Sequence, residues 1–322
     1  MRFFLNPIIF MNRYAVCILA VLLCGCIGVY AQLPYQFLHL NQSARAAALG
    51  GSFTAMSDDP AAVFINPAVL GTVEEQNFSA TFLKHVSDIN SGLAVYIPPL
   101  KAGGKLAVSA QFTSYGSFIR ADATGQKTGQ TFGGGETAIG ATYSNNLDSN
   151  LYWGATAKLI YSTLAEVSST GIGLDAGILY QMPRSRSNIG FSILNIGAQL
   201  SSYNGVSESL PLDVRLGINH RLRGLPLLVN FNFHHLGDET DDFFGKFANF
   251  SLGGELYVGK YVQLRLGYDN RMRSAVSVET RRGMSGMSAG VGIKTSFAMI
   301  DYGASSLGSA ESLHRFSVGM NF

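Results

Sequence analysis

Cysteine is missing from the chain beyond residue 26, since Cys17, Cys24 and Cys26 all precede Gln32. A mature chain starting at Gln32 has no disulfide, no thiolate metal ligand and no cysteine nucleophile, which suits a fold held by sheet closure rather than by staples. Past the N-terminal presequence there is also no apolar run long enough for a membrane-spanning helix. A dominant charge is absent as well. No acidic residue precedes Gln32, so removing Arg2 and Arg13 takes the formal charge of +2 to zero. That balance offers no field for nucleic acid.

The N-terminus reads as a secretory signal from either of two starts, Met1 or Met11. Met11-Asn12-Arg13 supplies a positive beginning and Tyr14 to Leu23 an apolar stretch. Cleavage is expected after Ala31, within Val29-Tyr30-Ala31-Gln32. Leu23-Cys24-Gly25-Cys26 resembles a lipoprotein-processing site with lipid on Cys26, although Cys24 is unusual inside one.

What is abundant is glycine and aromatic side chains: 37 Gly, 21 Phe and 14 Tyr, within an ordinary apolar content of 47%. Glycine suits crowded, curved sheet, and aromatics suit the interface belts of a membrane barrel. Fourteen strand candidates occupy 75–84, 89–98, 105–115, 133–144, 149–161, 170–181, 187–198, 211–219, 225–236, 246–258, 261–270, 286–294, 296–304 and 312–322. Most approach the nine to eleven residues that cross a bilayer when tilted. In Leu212-Asp213-Val214-Arg215-Leu216-Gly217-Ile218-Asn219 the apolar residues share one face, and Val262 to Asp269 repeats the division. Lipid-facing charge is costly, so Asp213, Arg215, Arg265 and Asp269 are expected inside. The final strand alternates to a bare aromatic, Phe322, as a barrel-closing strand would.

A soluble sandwich shares the period of two, so link length is a second test. Short links follow even-numbered strands (Asn145-Asn146-Leu147-Asp148, Gly259-Lys260, Thr295), while long links around 116–132, 199–210, 237–245 and 271–285 follow odd-numbered ones. That parity is what a barrel with both termini in the periplasm requires. The expected fold is an all-β, antiparallel, fourteen-strand outer-membrane barrel over 73–322, with 32–72 as a helical hatch in its lumen.

Ser43 to Leu49 is a short helix candidate stopped by Gly50-Gly51, and Ser57-Asp58-Asp59-Pro60 begins a second, with a side-chain cap before proline. Neither is long enough to stand alone in water, and the lumen is the natural receptacle. Arg45 with Asp58 or Asp59 is expected to tie the hatch to charged lumen residues, and Asn66-Pro67-Ala68 to close a polar turn. A fixed plug and a moving gate both fit these residues.

Signs of chemistry are sparse. His39, His85, His220, His234, His235 and His314 are scattered, and adjacent His234 and His235 on a strand point to opposite faces, where they cannot share a metal. No signature marks a nucleophile. The glycines of Gly171-Ile172-Gly173-Leu174-Asp175-Ala176-Gly177 read as sheet glycines. We therefore expect no enzyme activity, cofactor or metal. Arg271, Arg273, Arg281 and Arg282 with Glu279 form either a solvated loop or a contact for lipopolysaccharide or a partner, since guanidinium groups donate paired hydrogen bonds to phosphate and carboxylate. Segment 237–245 sets Asp238, Glu239, Asp241 and Asp242 beside Phe243 and Phe244, which reads as a docking surface or, alternatively, a calcium loop.

The stretch Leu38-His39-Leu40-Asn41-Gln42-Ser43-Ala44-Arg45-Ala46-Ala47-Ala48-Leu49-Gly50-Gly51, with Ser57-Asp58-Asp59-Pro60 and Phe64-Ile65-Asn66-Pro67-Ala68, resembles the PorV/PorQ family of type IX secretion. The Asn-Pro-Ala element also resembles the hatch of the long-chain fatty-acid transporter family. The resemblance implies a fourteen-strand barrel acting as anchor or adaptor for the cell-surface attachment complex, with a PorZ-like surface protein and other attachment-complex components as partners. The rival implication is a channel for hydrophobic solutes, which calls for a continuous apolar pocket or a wall opening beside the hatch. A passive porin would need a lumen free of residues 32–70.

Overall fold

The computed structural model describes residues 34–322 except 42, 75–76, 86–87, 101–102, 123, 204, 206, 208, 239–242, 276–282, 309–310 and 322. The expected signal segment 1–31 lies outside them, as do Asp241, Arg281, Arg282, the side chain of Phe243 and the terminal Phe322.

Fourteen antiparallel strands close into one barrel. They are β1 (Phe78–Lys84), β2 (Asn90–Tyr96), β3 (Lys105–Ala121), β4 (Lys127–Asp148), β5 (Leu151–Leu164), β6 (Val167–Met182) and β7 (Ser187–Ser201), followed by β8 (Asp213–Arg221), β9 (Leu227–Phe233), β10 (Phe250–Val258), β11 (Val262–Asp269), β12 (Met287–Lys294), β13 (Ala298–Ser306) and β14 (Ser312–Met320). Each pairs with its chain neighbours, and β1 pairs with β14 from Phe78↔Met320 to Lys84↔His314. Closure gives every strand a partner on both sides, as a bilayer demands.

The expected alternation holds. In β14, Leu313, Arg315 and Ser317 point inward and His314, Phe316 and Val318 outward. Outward Val108, Ile139, Leu159, Leu174, Leu266 and Ile300 belong to an apolar surface far larger than a water-soluble monomer carries, and lipid is its solvent. No helix among the described residues is long and apolar enough to cross a membrane. Strands do the crossing.

Two expectations about the links need correction. Residues 116–132 are not a long loop: β3 and β4 continue as a hairpin, paired as far as Ala121↔Lys127, through register shifts at Ser114/Ser117 and Ile119/Ala121. Likewise Asn145 to Asp148 is the end of β4, paired with β5, and the turn is Ser149-Asn150. Cross-strand pairing extended strands through polar residues that a propensity reading stops at. The barrel consequently has one tall wall, β3–β7, and a lower one formed by the other nine strands.

Candidate functional site: a seated hatch, a wall seam and a loop-side cavity

The hatch starts with a tight turn at Gln36–His39, then the helix Ala44–Ala48, and continues as two further tight turns at Pro60–Phe64 and Pro67–Thr72. Each of the last three is capped by a side chain, of which the cap before Pro60 was expected. Ser43 accepts from the Ala46 amide, Asp59 from Ala61 and Asn66 from Ala68, with Pro60 and Pro67 at the first position, where a missing N–H costs nothing. Gly50 (φ 65°) and Gly51 (φ 77°) stop the helix in the left-handed region.

Arg45 is the centre of the charged core. Its Nε and Nη2 donate to the two carboxylate oxygens of Glu255 on β10, both at 3.0 Å, and its Nη1 to Asp59 at 3.2 Å. Arg265 approaches the same Glu255 at 3.5 Å and donates to Asp301 at 2.5 Å. Burial opposes the Arg45 charge, yet Glu255 and Asp59 hold its guanidinium above the ordinary value. Asp58, the other expected partner, instead accepts from the Glu74 amide at 3.2 Å and donates its own amide to Thr72.

The wall meets the hatch backbone with small residues. A side chain's first carbon on Gly154 would strike Pro67; on Gly177, Asn66; on Gly190, Thr54; on Gly267, Gly50; and on Gly303, Ala44. The belt is continuous in places, with Gly154 opposite Gly177 and Gly190 opposite Gly217 on neighbouring strands. Between the glycines, inward polar groups bind hatch backbone: Ser192 to the Ile65 carbonyl at 2.7 Å, Asn219 to Ala55 at 2.7 Å, and Ser317 to the Ala44 amide at 3.0 Å. Sequence reasoning read Gly177 as a sheet glycine and set Asn219 opposite the apolar face of its strand, but assigned none of these wall residues to the hatch. Their signal was the run of Gly, Ser and Asn at inward positions, which a search for charge passes over.

Near the hatch the pairing of β7 with β8 stops short. β7 pairs with β8 only from Ser187↔His220 to Leu194↔Asp213. Asn195 then adopts φ 62°, the β6–β7 register shifts between Leu174 and Ala176, and above it, among the described residues, one isolated bridge, Ala198↔Ser209, joins β7 to the segment before β8. The segment Leu210-Pro211 fills the seam from inside. Leu210 packs with Tyr35 and Phe37, and the Pro211 carbonyl accepts from Asn195 Nδ2 and from His39 Nε2, both at 2.8 Å. Lys158 bridges Asp175 at 2.8 Å and Asn195 at 2.5 Å. Exposed Ile196, Leu200 and Leu212 flank the seam outside.

A cavity of about 630 Å³ lies above the hatch on the loop side, lined by apolar Leu40, Ala47, Met272 and Leu313 together with His39, Arg215, His235, Asp269 and Arg315. Below the hatch a cavity of about 380 Å³ is polar, with Asp58, Arg186, Asn188, Arg221 and Lys294. Burial depresses the His39 imidazole to about 4, against the pull of Asp213, so it is neutral at neutral pH.

His234 and His235 correct another expectation. β9 ends at Phe233, and His235 sits at φ 54°, so strand alternation no longer applies. Both are buried, with ring centroids 5.1 Å apart. The expected partner loops also meet: Arg271 donates to Asp238 at 3.2 Å, Arg273 lies on the short helix Asn270–Ala275 beside the Gly283 carbonyl, and Phe244 is 74% exposed.

No protein-family model and no curated protein matches the sequence. Solved structures do. The Ralstonia pickettii toluene transporter TbuX is 16% identical, with a TM-score of 0.57 over 87% of this chain and 98% of that one. The Pseudomonas putida toluene transporter TodX is 13% identical, with a TM-score of 0.55 over 86% and 97%. A Pseudomonas aeruginosa FadL homologue is 11% identical, with a TM-score of 0.53 over 86% and 97%. The chain thus has the closed fourteen-strand fold of FadL-like outer-membrane barrels.

Proposed function

We propose that this barrel passes hydrophobic solutes across the outer membrane, from the loop-side cavity sideways through the β7–β8 seam. The seam carries the reading. The hatch is seated across the lumen, and His39, which lines the 630 Å³ cavity, hydrogen-bonds Pro211 in the seam where β7–β8 pairing stops. Exposed Ile196, Leu200 and Leu212 receive an apolar solute at the outer edge of that seam. The toluene transporters sharing this fold support the solute class.

A second reading is the type IX attachment-complex adaptor with a PorZ-like partner. The residues from Leu38 to Ala68 that resemble PorV/PorQ proteins favour it, as does a hatch seated on backbone contacts throughout. Partner or lipopolysaccharide binding would then fall to Arg271, Arg273 and Phe244 with their neighbours, and the barrel would serve as a lipid anchor.

Uptake of a labelled aromatic hydrocarbon and of a long-chain fatty acid, in cells with and without the chain, separates the two. Uptake that depends on the chain supports the channel. Equal uptake, with recovery of secretion components by crosslinking from intact membranes, overturns it in favour of the adaptor.

A further inference from the structure

Among the described residues, a group of metal-binding side chains comes together at the floor of the loop-side cavity. His39 of the hatch, Asp213 of β8 and His235 after β9 each offer a ligand atom, and these atoms all lie within 4.8 Å of one another. Nothing in the sequence joins them, since they are brought together only by the hatch entering the barrel and by the left-handed backbone at His235.

The hydrogen bonds around the cluster leave lone pairs facing inward. His39 Nε2 donates to the Pro211 carbonyl at 2.8 Å, which fixes the tautomer and leaves Nδ1 as an acceptor. That Nδ1 is buried without a partner, and so is Nδ1 of His235. The two carboxylates nearby each turn one oxygen to an arginine, while Asp213 Oδ1 also accepts from the His235 amide at 2.7 Å and keeps a second lone pair. Asp213 gives Oδ2 to Arg215, at 2.7 and 2.6 Å, and Asp238 gives Oδ2 to Arg271 at 3.2 Å. Each presents its Oδ1 3.8 Å from His235 Nδ1. That separation is too long for a hydrogen bond. It is close to the spacing of about 3.4 Å between two donors of one tetrahedral ion with bonds near 2.1 Å. Isolated buried imidazole nitrogens are costly, and an ion would satisfy them.

We infer that His39, His235 and Asp213 bind one divalent transition-metal ion of the zinc class, with Asp238 as a fourth donor or water from the cavity in its place. Nitrogen donors select zinc, nickel, cobalt or copper over calcium and magnesium. The guanidinium groups of Arg215 and Arg271 act as the outer shell that orients the carboxylates. Their charge sets the affinity below that of a closed structural zinc site. The ion would join hatch, wall and the loop after β9 at one point, beside the seam that His39 already ties through Pro211. The inference stands independently of the transport reading.

The test is titration of tag-free, metal-stripped protein in detergent with Zn²⁺ by calorimetry, and with Co²⁺ by visible absorption. Wild type is expected to take one ion per chain and to melt at a higher temperature with Zn²⁺ than without. His39→Gln and His235→Gln are each expected to bind at least about tenfold more weakly. Heat-dependent gel mobility checks that each variant is a folded barrel. Should either glutamine variant fail that check, His235→Cys replaces it, keeps a ligand and is expected to show a thiolate–Co²⁺ band. Absence of stoichiometric binding in wild type overturns the site, and so does binding that survives both histidine substitutions unchanged.

Discussion

Arg45 of the hatch and Glu255 of β10 face each other through two parallel hydrogen bonds of 3.0 Å inside the barrel, 210 residues apart in sequence. The pair is a fork on a fork, the geometry in which arginine and carboxylate bind most strongly. Arg265 leans on the same carboxylate at 3.5 Å, so the hatch joins a wall network that includes Asp301.

Glu255→Ala leaves Arg45 with Asp59 alone in a water-poor interior. The expected loss is about 3–5 kcal/mol, because the charge is stranded rather than merely released. Arg45→Met with Glu255→Leu should recover only part of it, since apolar groups replace the pair while buried Asp59 and Arg265 each lose a charged partner. Thermal melts in detergent and protease access to residues 44–70 report both.

Gly267→Ala and Gly177→Ala push a methyl group against the hatch at Gly50 and Asn66. Each is expected to cost about 1–3 kcal/mol by overpacking and to make the hatch cleavable in a still-closed barrel. Gly103 faces open space and takes alanine as the matched control. Equal protease resistance in all three variants would refute the belt as the seat of the hatch.

Ala198→Cys with Ser209→Cys should form a disulfide across the isolated bridge of the seam. Antiparallel partners lie about 4.5–5.5 Å apart at Cα, a span a disulfide covers. In the chain beyond residue 26 no native cysteine competes. If solutes leave through the seam, oxidised cells lose uptake and a reductant restores it; uptake unchanged on oxidation refutes that route.

Arg271→Ala breaks an exposed pair with Asp238 and is expected to change stability by less than about 1 kcal/mol. Any loss of a crosslinked surface protein or of lipopolysaccharide binding in this variant would therefore report the contact itself. Retained capture of both would clear Arg271 of a binding role.

Much of the architecture was legible because its physics is local. Asp213, Arg215 and Arg265 alternate with apolar residues at a period of two, and lipid on one face leaves the charges a single direction to point. Asp59 could be read as a cap because a cap acts within three residues of itself, whereas the caps at Ser43 and Asn66 came from the structure. Strand length was less legible. Residues 116–132 hold turn-like glycines and polar residues, and only the partner strand shows that they continue the ladder.

By itself, then, the sequence determined the barrel, its inward and outward faces and a capped N-terminal segment needing a receptacle. Each follows from side-chain period, local capping or the cost of charge in lipid. Tertiary structure alone decided the rest: that Arg45 meets Glu255, that lumen glycines seat the hatch, that β7 parts from β8 at Asn195, and that His39, Asp213 and His235 converge. These depend on contacts between segments far apart in the chain and on left-handed backbone at Asn195 and His235, which strand alternation does not foresee.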